Sequence, residues 1–155
     1  MVTEIFNILQ QVQELQRKHG SDKNYYQPCI AGNKIGLLHV EIIHPNLRHN
    51  KSIFITLQVG KASYTFEGII EKNILFFSKV TIPHSIFKEN FVASILIEII
   101  KIVKSYKTET IIFKIKSDEY FKRINVPFRL CGFTASRGTT GDFHIFTGVF
   151  SKLLK

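Results

Sequence analysis

Residues 74–100 read ILFFSKVTIPHSIFKENFVASILIEII, and within this stretch the hydrophobic period changes once. Asn73–Ile82 is almost entirely apolar and stops at Pro83, as a central strand does. From Ser85 to Tyr106 the apolar residues recur at helical spacing instead, with Phe87, Phe91, Ile95, Ile99 and Ile102 along one side. Ser85 is a plausible N-cap, Glu89 falls in the first turn, and Lys101, Lys104 and Lys107 suit the negative end of the helix dipole. Thr110–Lys116 (TIIFKIK) then reads as a short strand. A strand, a long helix and a strand in succession imply a crossover within one sheet.

Upstream, the spacing predicts an amphipathic helix over Thr3–His19, with Ile5, Ile8, Leu9, Val12 and Leu15 on one side and Gly20 as the stop. Its apolar face is expected to pack within the chain. Residues 21–34 (SDKNYYQPCIAGNK) read as loop. Ile35–His44, Ser52–Val59 and Ala62–Ile70 alternate as strands, and the short gaps between them favour antiparallel hairpins. Downstream, Asp118–Ile124 reads as a brief helix broken by Asn125-Val126-Pro127. Phe128–Phe133 is a further turn or helical segment, and Phe143–Phe150 a closing strand after the turn Arg137–Asp142 (RGTTGD). The expected fold is a mixed α/β, mainly antiparallel sheet with one central crossover and an N-terminal helix. A single domain over residues 1–155 is expected, with its core at 35–150.

Bulk properties narrow the function classes. The 155 residues are 45% hydrophobic and 21% charged, which excludes a disordered chain. Met1–Lys18 lacks the apolar run and small-residue cleavage site of a secretory signal. The most apolar window, Phe91–Val103, contains Glu98 and Lys101 and cannot span a bilayer without burying charge. The expected localisation is therefore cytoplasmic. Cys29 and Cys131 have no CxxC partner and read as reduced thiols, Cys131 in the core. Lys and Arg number 21 against 12 Asp and Glu, a net charge of +9 that falls mostly after residue 60. Such an excess attracts phosphates or serves solubility.

The element order and two local stretches resemble the GNAT N-acetyltransferase superfamily from about Ile35 to Phe150. The first stretch is residues 74–100, similar to the family's central strand, acyl-CoA loop and following helix. The second is PFRLCGF, Pro127–Phe133, similar to a C-terminal signature through Phe128, Gly132 and Phe133. The resemblance implies acetyl-CoA or another acyl-CoA as cofactor, with Val80, Ile82, Lys88, Glu89, Asn90 and Phe91 facing it. It implies a backbone N–H near Lys79–Thr81 as the group that polarises the thioester carbonyl. A general base is expected on the central strands: Glu41 and Glu67 first, with His39 and Glu71 beside them.

Two departures stand out. The family's loop is glycine-rich so that backbone N–H groups can approach a pyrophosphate. Residues 85–93 (SIFKENFVA) contain no glycine and no arginine, Glu89 opposes a phosphate, and Lys88 alone suits one. Phe128 stands where many members carry a tyrosine that protonates the departing thiolate, and a phenyl ring has no proton to give.

Two functions therefore remain open: acyl transfer from acyl-CoA to a small-molecule or protein amine, through a divergent cofactor loop, and a non-catalytic GNAT-like module that binds nucleic acid or a protein partner. Tyr25, Tyr26 and Tyr120, near Lys23, Lys122 and Arg123, are the candidates to stack bases. His39, His44 and His49 recur every five residues, which puts the first two on opposite strand faces, so no metal site is expected. RGTTGD lacks the trailing GK[ST] of a P-loop and reads as a hairpin turn.

Overall fold

The computed structural model describes residues 2–31, 34–43, 51–83, 89–105, 108–116, 121–137 and 143–149. The elements are α1 (Val2–His19), β1 (Asn24–Ala31), β2 (Lys34–Ile43), β3 (Lys51–Val59), β4 (Ala62–Glu71), β5 (Ile74–Thr81), α2 (Glu89–Ser105), β6 (Thr110–Lys116), α3 (Phe121–Leu130), β7 (Thr134–Arg137) and β8 (Phe143–Val149). The strands form one eight-stranded sheet in the order β1-β2-β3-β4-β5-β6-β8-β7. All neighbours are antiparallel except β5 and β6. Since α2 lies between those two in the chain, the one parallel pair falls where the hydrophobic period changes.

Strict alternation gives the sheet one core face. Leu38, Val40 and Ile42, then Ile53, Ile55 and Leu57, then Tyr64 and Phe66, then Leu75 and Phe77, are all buried there. Phe91, Val92, Ile95, Leu96 and Ile99 of α2 join the same cluster. Its centre is aromatic: Phe77 stacks on Phe113 at 4.8 Å, and Phe66 meets both edge-on. The two-residue connection between β3 and β4 uses Gly60 at φ 60°, a conformation open to glycine at little cost.

Three expectations are corrected. Residues 24–31, read as loop, form edge strand β1, in register with β2 from Asn24 opposite Glu41 to Ala31 opposite Lys34. Pro28 is tolerated there because an edge strand has a side that needs no ladder donor. Helix α1 packs on β1 and β2. Gln16 Oε1 accepts the Tyr26 N–H at 2.7 Å, and the Asn24 amide donates to the His19 carbonyl at 3.0 Å. The open edge is thus partly satisfied.

The expected break at Asn125-Val126-Pro127 does not occur, because α3 runs through Pro127 to Leu130. A helix-interior proline costs a backbone bond. Here the next residue, Phe128, is fully buried against Phe113, Phe133 and Phe146, so packing overrides the local preference. Strand β7 was not anticipated either. It pairs with β8 through four residues, from Thr134 opposite Thr147 to Arg137 opposite His144. Ser85, Phe87 and residues 138–142 of the glycine turn lie outside the described residues, as do His44, His49 and Tyr120. Among the described residues no helix is long and apolar enough to cross a membrane.

Candidate functional site

The sheet opens at its parallel pair. β5 and β6 are paired only from Ile74 opposite Thr110 to Phe77 opposite Phe113. Beyond that point β5 continues to Thr81 on the ladder of β4, and β6 continues to Lys116 on the ladder of β8. Each strand keeps its outer neighbour and loses its inner one. A β-bulge sits at the start of the opening: Glu67 pairs with Lys79 and Gly68 with Phe77, so Ser78 is the extra residue. A bulge bends its strand and takes one residue out of pairing. The backbone groups of Ser78–Thr81 that would face β6 are thereby released.

This opening lies at the carboxyl ends of two parallel strands where the strand order changes, the position at which open α/β sheets bind ligands. The N-terminus of α2 is at the same end. Phe91, its third residue, has its ring 6.1 Å from that of Tyr64, near the start of β4. Thr81, the last residue of β5, pairs with Thr65 beside it. The positive end of the α2 dipole therefore belongs to the region into which the sheet opens.

The residues named from the sequence separate into groups. Val80 and Ile82 are half-buried and pack against the core. Glu89 and Asn90 open α2, and Lys88 lies outside the described residues. Phe91 is 1% exposed and belongs to the core. Glu67 is half-buried and directly opposite Lys79 on the bulged strand. Glu41 shares the face of Glu67 but is separated from it by Phe54, since Glu41 pairs with Phe54 and Phe54 with Glu67. With strands about 4.8 Å apart, Glu67 is about 5 Å from β5 and Glu41 about 14 Å. The structure therefore brings Glu67, and not Glu41, beside the opening. Glu71 pairs with Ile74 at the opposite end of β5.

His39 is as remote as Glu41, and it is engaged. Its Nε2 is 2.6 Å from Asn24 Oδ1, and its ring stacks on Tyr26 at 4.3 Å and 6°. Burial lowers its pKa, against a weaker opposing effect of Glu41. Tyr26 is taken up by that stack and Tyr25 packs against the core, so the pair does not form a free stacking surface. The cysteines are buried and unpaired. Burial raises the Cys29 thiol to about 11 despite a hydrogen bond with Ser94, and burial raises Cys131 as well. Neither is a nucleophile at neutral pH. Among the described residues no group of three or more His, Cys, Asp and Glu could hold a metal ion.

Sequence reasoning missed two features. The bulge at Ser78 is invisible in ILFFSKVT, which reads as one uninterrupted strand. Asn125, taken there as part of a helix break, has a buried Oδ1 with no hydrogen-bond partner. An unpaired buried acceptor is costly unless a donor arrives. It lies one turn before Phe128, on the helix that follows β6. The released strand edge leaves backbone groups of Ser78–Thr81 without a β6 partner. Phe128 itself, 0% exposed and stacked on Phe146 at 4.2 Å, offers no polar atom.

No family model matches the sequence, and no curated protein matches it. Among solved structures, the chain is similar to a candidate acetyltransferase from Sphaerobacter thermophilus DSM 20745, with a TM-score of 0.51 and 11% identity over 80% of this chain and 95% of that one. It is also similar to a candidate acetyltransferase from Agrobacterium tumefaciens, with a TM-score of 0.40 and 8% identity over 89% and 82% of the two chains. At such identities the likeness to the first is one of fold. The mixed, mostly antiparallel sheet and N-terminal helix are consistent with a GNAT-like fold.

Proposed function

We propose that the chain, acting as one domain over residues 1–155, is a GNAT-like N-acyltransferase that moves an acyl group from acyl-CoA to an amine. The observation that carries this reading is the opening between β5 and β6, begun by the bulge at Ser78. Acyl-CoA bound there supplies an acyl carbon activated as a thioester. A backbone N–H near Lys79–Thr81, on the side released from β6, donates to the carbonyl oxygen, where negative charge develops. The amine nitrogen bonds to that carbon as the carbon–sulfur bond breaks, and Glu67 takes the proton the nitrogen loses. Val80 and Ile82 exclude water from the same stretch. The positive end of α2 attracts the cofactor's phosphates, while Phe91 holds the helix end by packing on Tyr64. With phenylalanine at 128, the thiolate takes its proton from solvent.

Thermal unfolding with acetyl-CoA tests the cofactor half of this reading. Ligand at about 100 times its dissociation constant stabilises by about 2.7 kcal/mol. For 155 residues that is a rise of about 5–10 °C. Glu67→Gln tests the chemical half. It should lower kcat by about 100-fold or more at neutral pH and leave acetyl-CoA affinity unchanged. An unchanged kcat would remove Glu67 from the mechanism, and no thermal shift at saturating acetyl-CoA would remove the cofactor.

A second reading has its own support. Fully buried Phe128 and the net charge of +9 favour a non-catalytic module of the same fold that binds nucleic acid or a protein partner. That module would ignore acetyl-CoA, and any nucleic-acid affinity would fall steeply with salt.

A further inference from the structure

A cavity of about 380 Å³ lies where α1, the start of β2, the β3–β4 turn and the first turn of α2 meet. Ile8, Ile35, Val59 and Phe91 contribute its apolar walls, and Lys34 and Lys61 stand on its lining with exposed side chains. Leu37 pairs with Gln58. Beyond that last pair of the ladder, Lys34 opens β2 and Lys61 lies in the β3–β4 turn, so two like charges share the cavity lining. Like charges gathered on one lining repel. Among the described residues neither lysine has an ion-pair partner. Glu4 of α1 also lines the cavity and leaves it one positive charge in excess. An apolar pocket with a few convergent polar groups is the usual form of a small-ligand site.

We propose that this cavity binds a single-chain amphipathic anion. Its apolar body lies between α1 and α2, and its carboxylate or phosphate head lies between Lys34 and Lys61. At about 30 Å³ for each water-sized group, the volume holds about a dozen non-hydrogen atoms, a chain of about ten carbons with its head. The anion relieves the repulsion of the two lysines, and its tail covers the half-buried Ile8 and Val59. The occupant also ties α1 to the sheet. This site does not depend on acyl transfer: it shares Phe91 with the helix end assigned to the cofactor, but no residue of β5 or β6 lines it.

Calorimetric titration of the full chain with decanoate, decyl phosphate, decylamine and acetate, each below its micelle concentration, tests the proposal. Decanoate or decyl phosphate should bind saturably at one per chain, and the tighter of the two names the head group. Decylamine should bind at least ten-fold more weakly, and acetate should give no saturable heat. The double variant Lys34→Glu/Lys61→Glu changes only exposed side chains and should weaken anion binding ten-fold or more while its unfolding temperature stays near that of the parent. Val59→Trp should block the tail. Equal affinity for decylamine and decanoate, undiminished binding by the double variant, or no saturable binding of either anion would each overturn the assignment.

Discussion

Strands β3 and β4 stay paired along their whole length, from Lys51 opposite Ile70 to Val59 opposite Ala62. Strands β5 and β6 part after Phe77 opposite Phe113. The first pair is joined by a two-residue turn, so the turn sets the register and alternation on the core face continues it. The second pair is joined through α2, and no turn holds its ends together. Its register rests on side-chain packing, and the pairing ends where the packing ends. Phe77 and Phe113 stack at 4.8 Å and 9°. The next described side chains along β5, Ser78 and Lys79, are exposed. A sheet can thus be closed by aromatic rings at its root and open at its tip along one pair of strands, and the open part is where backbone groups become available to a ligand.

The largest expected effect comes from that root. Phe77→Ala removes a fully buried ring that contacts Phe66 and Phe113 and should destabilise by about 3–5 kcal/mol. Lys79→Ala, two residues along the same strand and across the bulge, should stay within about 0.5 kcal/mol. Denaturant unfolding of the two variants measures the contrast. Comparable losses would mean that the open tip is sealed as firmly as the root, and the distinction between the two regions would fail.

A smaller effect is expected at the bulge itself. A Cβ on Gly68 would lie 2.7 Å from Phe77 Cδ1 and 2.9 Å from the Phe76 carbonyl oxygen. The oxygen belongs to the backbone, so the strand must move. Gly68→Ala should cost about 1–3 kcal/mol. If the bulge sets the opening, the variant should also lose acetyl-CoA affinity although its side chain is far too small to reach a ligand. Full stability together with full affinity would show that the bulge is incidental to the site.

The same contrast explains what could be read from the sequence. Alternation in ITLQV and SYTFEG and the helical period of residues 91–102 come from burial on a single face, and the core of the sheet follows from them. Strand β1 has no such pattern. Asn24, Gln27 and Pro28 sit on an edge whose stability comes from β2 and from Gln16, both distant in sequence. Helix α3 survives Pro127 because Phe128 is held by three other rings, again at long range. The rank of Glu67 over Glu41 needs the strand order, which a list of strands does not contain. Ser78 differs from any other strand serine only through Gly68 and Lys79 across and beside it.

The smallest expected effect lies at the paired end of the sheet, at His39, and depends on pH. Burial holds its pKa below the usual 6.5, with Glu41 opposing. The unfolded chain, with the ordinary value, therefore takes up a proton at a higher pH than the folded chain. Stability contributed by this depression is present above about pH 6.5 and is lost as pH falls toward the folded value, after which the loss levels off. His39→Gln keeps a donor for Asn24 Oδ1 and removes the titration. Compared with the parent, the variant should show a shallower decline in unfolding temperature between about pH 6.5 and 5. The difference isolates His39 from the other five histidines. Parallel pH profiles would mean that the imidazolium is accommodated beside Glu41 at no cost, and the stack on Tyr26 would then be no more than surface packing. A steeper decline in the variant would mean that Glu41, and not burial, governs the group.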